Sequence, residues 1–224
     1  MDEVITKDIT ETKRHSIKMV MYHGIKRLFD IICSLIGCLF LLPIALVVKI
    51  SYILNKDFEP IFFTQNRIGL HGKEFKFYKF RSMIPNADKV LEELLANNEE
   101  LAEEYSINKK LENDPRITKM GRILRNTSID ELPQLINVLK GDMSLIGNRP
   151  YLPREKEDMG LYYKNIVETK PGLTGYWQVS GRSDVTFQKR LELEKYYSNH
   201  ASLKLDIQIF FKTFAVVLLK KGSK

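Results

Sequence analysis

From Ile31 through Val48 the chain carries no charged side chain, and no other stretch restricts its folding as much. As straight helix this run would extend roughly 27 Å, close to the hydrocarbon thickness of a bilayer. A chain of 224 residues seldom buries so long an uncharged helix in its own core, so lipid insertion is the expectation. A signal peptide fits poorly, because the run starts late and lacks a small-residue cleavage site. Pro43 interrupts the run and removes a backbone donor, which predicts a kink or break. Lys13, Arg14, Lys18, Lys26 and Arg27 precede it, while Lys49, Lys56, Arg67, Lys73, Lys76, Lys79 and Arg81 follow. Basic flanks favour the cytoplasmic side, and both ends stay there only if the segment enters one leaflet and returns. The sequence thus predicts a mobile polar tail over 1–24 and a re-entrant helix-break-helix over 25–54. Its arms are Ile31–Leu42 and Ile44–Ile53, and a cytoplasmic domain follows over 55–224. Ser34 and Ser51 could help satisfy backbone or polar groups there, although nothing in the sequence shows that they do.

The formal charge of +7 suits an anionic partner such as a phosphate ester or an acidic membrane surface. Cys33 and Cys38 are the only cysteines and both lie in the apolar run, which argues against a disulfide framework or a structural zinc. "IFFTQNRIGLHGKEFKFYKFRSM" reads as two strands, Ile61–Gln65 and Glu74–Phe80, around a turn with Gly69, His71 and Gly72. Its alternating aromatic and basic residues resemble a single-strand nucleic-acid platform. Next to a membrane segment they fit lipid headgroups or substrate phosphates better, and nucleic acid is not expected as a partner. From Asn86 to about Leu111 an acid-rich helical excursion is expected, interrupted near Asn97-Asn98 and solvated. Lys170–Arg182 is a glycine-punctuated loop holding the only tryptophan, Trp177. The C-terminal apolar stripe, edged by Lys204, Lys212, Lys220 and Lys221, reads as a core helix or an interfacial one. The fold class is α+β and mainly helical, with a short β-hairpin and interfacial amphipathic helices.

"LRNTSIDELPQLINVLKGDMSLIGNRP" carries the chemistry. Ser128-Ile129-Asp130-Glu131 fits a capping box, or Asp130 is itself the N-cap, and Gly141 stops the helix. Arg116, Arg122 and Arg125 upstream and Arg149 downstream would add to the helix end as an anion site. Asp130 is expected to stay ionised there. An ionised carboxylate beside a bound phosphate can attack phosphorus, while its neighbour holds a hard cation. Adjacent helical residues point about 100° apart, which divides the two tasks.

Together "KRLFD", "RIGLHGKEFKFYKFRSM", "DPRITKMGRILRNTSIDELPQLINVLKGDMSLIGNRP" and "KPGLTGYWQVSGR" resemble the bacterial sugar transferases, the monotopic polyprenyl-phosphate phosphoglycosyl transferases, over about Ile25 to Phe214. The resemblance implies transfer of a sugar 1-phosphate from a UDP-sugar to undecaprenyl phosphate with release of UMP. It also implies Mg²⁺ and the cytoplasmic face of the bacterial inner membrane, at the start of capsule, exopolysaccharide or O-antigen assembly. Asp130 falls on the family's nucleophile, which forms a phospho-sugar intermediate, and Glu131 on the residue that helps Asp130 hold metal. Lys79, Arg81, Arg125, Arg149 and Pro150 match its substrate-phosphate residues, and Pro43 its helix-breaking proline. The family's Gly-Pro-Arg-Pro reads Gly147-Asn148-Arg149-Pro150 here, without the first proline. The chain resembles the small free-standing form, and its acidic excursion resembles that of galactose or glucose 1-phosphate transferases. Homo-oligomerisation is left open. The competing reading is a non-catalytic membrane scaffold whose Asp-Glu pair only caps a helix.

Overall fold

A computed structural model describes the backbone of residues 2–181 and 185–218 and the side chains of residues 17–181 and 185–215. Arg182, Lys220 and Lys221, named above, lie outside the described residues, as do the side chains of Lys13 and Arg14. Helix α1, Asp2–Leu54, leads into an antiparallel hairpin of β1, Phe62–Ile68, and β2, Glu74–Phe80. The acid-rich excursion folds as α2, Ala87–Asn97, and α3, Glu99–Asn108; Asn98 stands between them in extended conformation and caps α3 by accepting from the Leu101 N–H. Then come α4, Lys119–Asn126, a single 3-10 turn over Ile129–Glu131, and α5, Gln134–Lys140. A short parallel pair, β3 (Ser144–Ile146) and β4 (Gly172–Thr174), brackets two one-turn helices, α6 (Lys156–Met159) and α7 (Tyr163–Ile166). The described chain ends with α8, Tyr176–Ser180, α9, Phe187–His200, and α10, Leu203–Leu218.

The mainly helical α+β class holds, but the two expected arms form one helix. Helical backbone passes through Pro43, and it also covers residues expected to form a tail. A proline in a helix removes one hydrogen bond and crowds one carbonyl, a cost of about 3 kcal/mol. Contacts on both sides of it hold the helix in place. Before Pro43, Arg27 donates to the Val138 and Leu139 carbonyls at the end of α5, at 2.6 and 2.8 Å, where a cation meets the negative helix end. Asp30 accepts from the Ser144 hydroxyl and the Leu145 N–H. After Pro43, Leu41's neighbours Val48 and Tyr52 pack with it against Phe80 and Leu124. Ser34 and Ser51 donate to the carbonyls four residues earlier.

The opposite face of α1 is bare. Leu28, Ile32, Leu35, Leu39, Leu42, Leu46 and Ile50 are exposed. By length and composition Ile17–Leu54 could cross a membrane. Helix α10 lies along α1: Tyr22 and Lys26 reach the Asp206 carboxylate, and the Phe29 and Phe210 rings meet edge-on at 5.3 Å. Leu203, Ile207, Phe211 and Phe214, spaced along one face of α10, are exposed. The domain core gathers Phe77, Leu135, Val138, Met143, Ile146 and Tyr197, which joins the hairpin to α5, β3 and α9.

Candidate active site

Neither capping reading survives. Ser128 adopts a left-handed conformation and its side chain makes no cap bond; α5 starts after Pro133, also without a side-chain cap. Asp130 and Glu131 sit in the 3-10 turn before α5, and the carboxylates face the hairpin instead. Lys79, on β2, places its Nζ 3.1 Å from Glu131 Oε1 and 3.7 Å from Asp130 Oδ2. One lysine thus joins both acids. Gly141 does stop α5, at φ 91°, and its N–H returns to Asn137 and Val138.

Asp130 is buried, whereas the Glu131 side chain is 42% exposed. Burial pushes the Asp130 carboxyl above the usual carboxylate range; Lys79 and Arg125 oppose that rise and Glu131 adds to it. The expected help from positive neighbours is present in Lys79 and Arg125, and burial works against it. Loss of water around the carboxylate outweighs the neighbouring positive charge.

The arginines separate into different roles. Arg125 belongs with the dyad: Asp130 and Glu131 both act on its charge, and its Nε donates to Ser82 Oγ at 2.9 Å. Arg81 does not join them. It is buried, donates to the Pro60 and Met83 carbonyls and to Asp57 Oδ1, and stacks over Tyr52 at 4.7 Å. It lies one residue past the end of β2, where Pro60, Asp57 and Tyr52 take its side chain, so only Lys79 of the two basic residues reaches the acids. Arg116 is likewise held inside the fold, by the Asp114 carboxylate and the Ala87 carbonyl, and Arg122 is exposed on α4.

Arg149 and Pro150 follow β3 in a different neighbourhood. The Arg149 N–H donates to Glu194 Oε1 at 2.9 Å, and the Pro150 carbonyl accepts from Arg67 at 3.0 Å. Asn148 fills the place of the absent proline with three bonds, to the Ile166 carbonyl, Thr169 Oγ1 and Ser198 Oγ. The loop is therefore tied by side-chain bonds where a proline would have restricted it by its ring. Arg67, Arg190 and Glu194 surround Arg149. Arg190 and Glu194 lie outside the sequence motifs that carry the expected site. Their four-residue spacing on a mostly polar helix was a faint sign, since it puts both on one face.

Among the described residues no group of three or more His, Cys, Asp or Glu side chains gathers for a metal ion. A cation at the dyad would therefore take two carboxylates from the protein and the remaining ligands from water and substrate. That donor set suits a hard, octahedral ion.

The family model for bacterial sugar transferases matches residues 21–220. The undecaprenyl-phosphate galactose phosphotransferase of Salmonella typhimurium is 46% identical over 199 residues, covering 89% of this chain and 41% of that protein. The galactosyl transferase CpsE of Streptococcus agalactiae serotype III is 44% identical over 215 residues, 94% of this chain and 46% of its own length. The exopolysaccharide production protein ExoY of Sinorhizobium fredii is 40% identical over 198 residues, 88% of this chain and 87% of that protein. The chain thus spans less than half of the first two relatives and most of the third. Since that match takes in most of its length, the chain belongs to the bacterial sugar transferase family.

Proposed function

We propose that this chain transfers a hexose 1-phosphate, galactose or glucose, from a UDP-sugar to undecaprenyl phosphate and releases UMP. The observation that carries this reading is a buried carboxylate, Asp130, that caps no helix and stands beside Lys79, Glu131 and Arg125. Asp130 Oδ attacks the sugar-bearing phosphorus; the new P–O bond forms as the bond to the UMP oxygen breaks, and UMP leaves. A phosphate oxygen of the lipid then attacks the same phosphorus, breaks the aspartyl bond and restores the carboxylate. Two displacements on one enzyme group give ping-pong kinetics. Lys79 and Arg125 would offset charge on the transferring phosphoryl group, and Arg149 would contact a further phosphate. Glu131 and Asp130 would hold Mg²⁺, which when bound would supply charge neutralisation at the diphosphate.

The bare apolar faces of α1 and α10 support a seat in the inner membrane, with the dyad on the cytoplasmic side at headgroup level. The names of two relatives, a galactose phosphotransferase and a galactosyl transferase, support a hexose donor. The reaction belongs at the start of capsule, exopolysaccharide or O-antigen assembly. The test is UMP release by the purified full chain in nanodiscs with UDP-galactose, UDP-glucose and their N-acetylated forms, each with and without undecaprenyl phosphate. Release from none of them would remove the reading and return the chain to a scaffold.

The pH profile gives an independent check on Asp130. If its ionised form attacks, single-turnover UMP release falls as pH drops through its raised pKa. Lys79→Met removes the largest influence opposing that rise, so the acidic limb should move to higher pH. Glu131→Gln removes a like charge, so the limb should move lower. Shifts of the same sign in both variants would assign the limb to another group.

A further inference from the structure

A second group of charges lies apart from the dyad. Arg67, Arg149 and Arg190 come together where β1, the loop after β3, and α9 meet. Arg190 is 5% exposed and Glu194, one turn along the same helix, 1%. The Nε donors of all three arginines and the Trp177 indole N–H are buried and without a partner. Arg190 stacks over Trp177 at 4.6 Å, and Tyr151 lies within the fields of Glu194, Arg190 and Arg149. Glu194 is the carboxylate placed among them. It receives the Arg149 N–H on Oε1 and lies beside the Tyr151 hydroxyl, and burial raises its pKa to about 7. At neutral pH it is therefore only a partial counter-charge. Glu155 also acts on the group, while its Oε2 accepts the Leu152 N–H. Burial, then Arg149, pushes the Arg67 guanidinium down to about 9.

Several buried donors and surplus positive charge are costly unless an acceptor-rich anion completes them. A phosphate group brings acceptors and negative charge together, and guanidinium forks match its oxygens. The position suits the transfer reaction. Arg67 Cζ and Lys79 Nζ stand 5.2 and 5.6 Å from the centre of the Phe77 ring, so they are no more than about 11 Å apart. We propose that Arg67, Arg149 and Arg190, backed by Glu194, form a second phosphate subsite beside the dyad for the phosphate that is not attacked. That phosphate belongs to the nucleotide or to the lipid acceptor. Its part in turnover rests on the reaction proposed above, whereas anion capture at these residues does not.

Trp177 is the only tryptophan, so its emission reports on this group without any turnover. The experiment titrates the full chain in nanodiscs with UMP, inorganic phosphate and a short-chain polyprenyl phosphate, reading Trp177 fluorescence. Saturable change is expected with at least one probe, weakened about 10-fold or more in Arg190→Gln, the loss expected for a charge-assisted bond. Arg190→Lys retains charge without the fork and should weaken binding less, which keeps the test open should the glutamine variant not fold. Tighter response to UMP assigns the subsite to the nucleotide; tighter response to the polyprenyl phosphate assigns it to the acceptor. The proposal is overturned by no saturable response to any probe, or by unchanged affinity in Arg190→Gln. Binding lost in Lys79→Met but kept in Arg190→Gln would also overturn it. A chain that binds phosphate here yet releases no UMP from any donor would retain the subsite and lose the transfer reaction.

Discussion

Asp130→Asn should abolish UMP release while leaving the fold as stable as before. The substitution keeps the shape of the side chain and removes the charge that attacks. An amide oxygen in that position cannot form the phosphoryl ester, so single-turnover UMP release should fall on the order of 10³-fold or more. The structural cost should be small because the carboxylate caps nothing, and Lys79 keeps Glu131 at 3.1 Å. Linkage gives the sign of the remaining effect. Burial raises the folded-state pKa of Asp130, so above that pKa the ionised group opposes folding, and the opposition fades as pH falls below it. An uncharged amide removes this penalty, and the melting temperature at neutral pH should stay level or rise slightly. Two measurements settle it: nucleotide release in one turnover, and the intact mass of the protein after exposure to donor. Wild-type turnover by the variant would exclude Asp130 as nucleophile. A large fall in melting temperature would instead mean that the dyad is part of the scaffold.

The parts of this chain governed by local chemistry are legible in its sequence. Alternation placed β2 at Glu74–Phe80, where the structure has it, and the Asn97-Asn98 pair marked the interruption between α2 and α3. Gly141 marked the end of α5 because a left-handed residue is needed there. What failed depended on partners distant in sequence. Arg81 reads like Lys79 in the motif, but Asp57, Pro60 and Tyr52 take it into the fold. Pro43 reads as a break only while the helix is considered alone. Arg27, bonded to α5, and Asp30, bonded to β3, hold one half of α1, and Tyr52 donates to the Arg81 carbonyl from the other. The capping box failed for the same kind of reason. Its pattern is local, but Lys79 on a strand some fifty residues earlier draws both acids away from the helix start.

The dyad's geometry depends on a close approach between backbones, which makes Gly121→Ala the second large effect. Gly121 lies in the first turn of α4, and a Cβ there would stand 1.8 Å from the Ser82 carbonyl oxygen and 2.5 Å from its carbon. No side chain can swing aside, because the obstacle is main chain. That same carbonyl accepts the Thr118 N–H at 3.1 Å, and Thr118 caps α4 by accepting from the Gly121 N–H. Making room for one methyl group would therefore pull α4 off the end of β2 and strain its cap. Overpacking of this kind costs about 3 kcal/mol, which for a domain of this size lowers the melting temperature by roughly 6 to 12 °C. The displacement also reaches the dyad. Arg125 is one turn further along α4 and is held by Ser82 Oγ at 2.9 Å, so UMP release should fall even in the fraction that remains folded. Gly24→Ala is the matched control. Gly24 lies in helix α1 with nothing within 4 Å of its added Cβ, so the change should be neutral or stabilise by about 0.5–1 kcal/mol through helix propensity. Thermal unfolding of both variants in the same nanodiscs measures the difference. Equal melting temperatures would mean that α4 can shift from β2 without cost, and that Ser82 does not fix the arginine beside the acids.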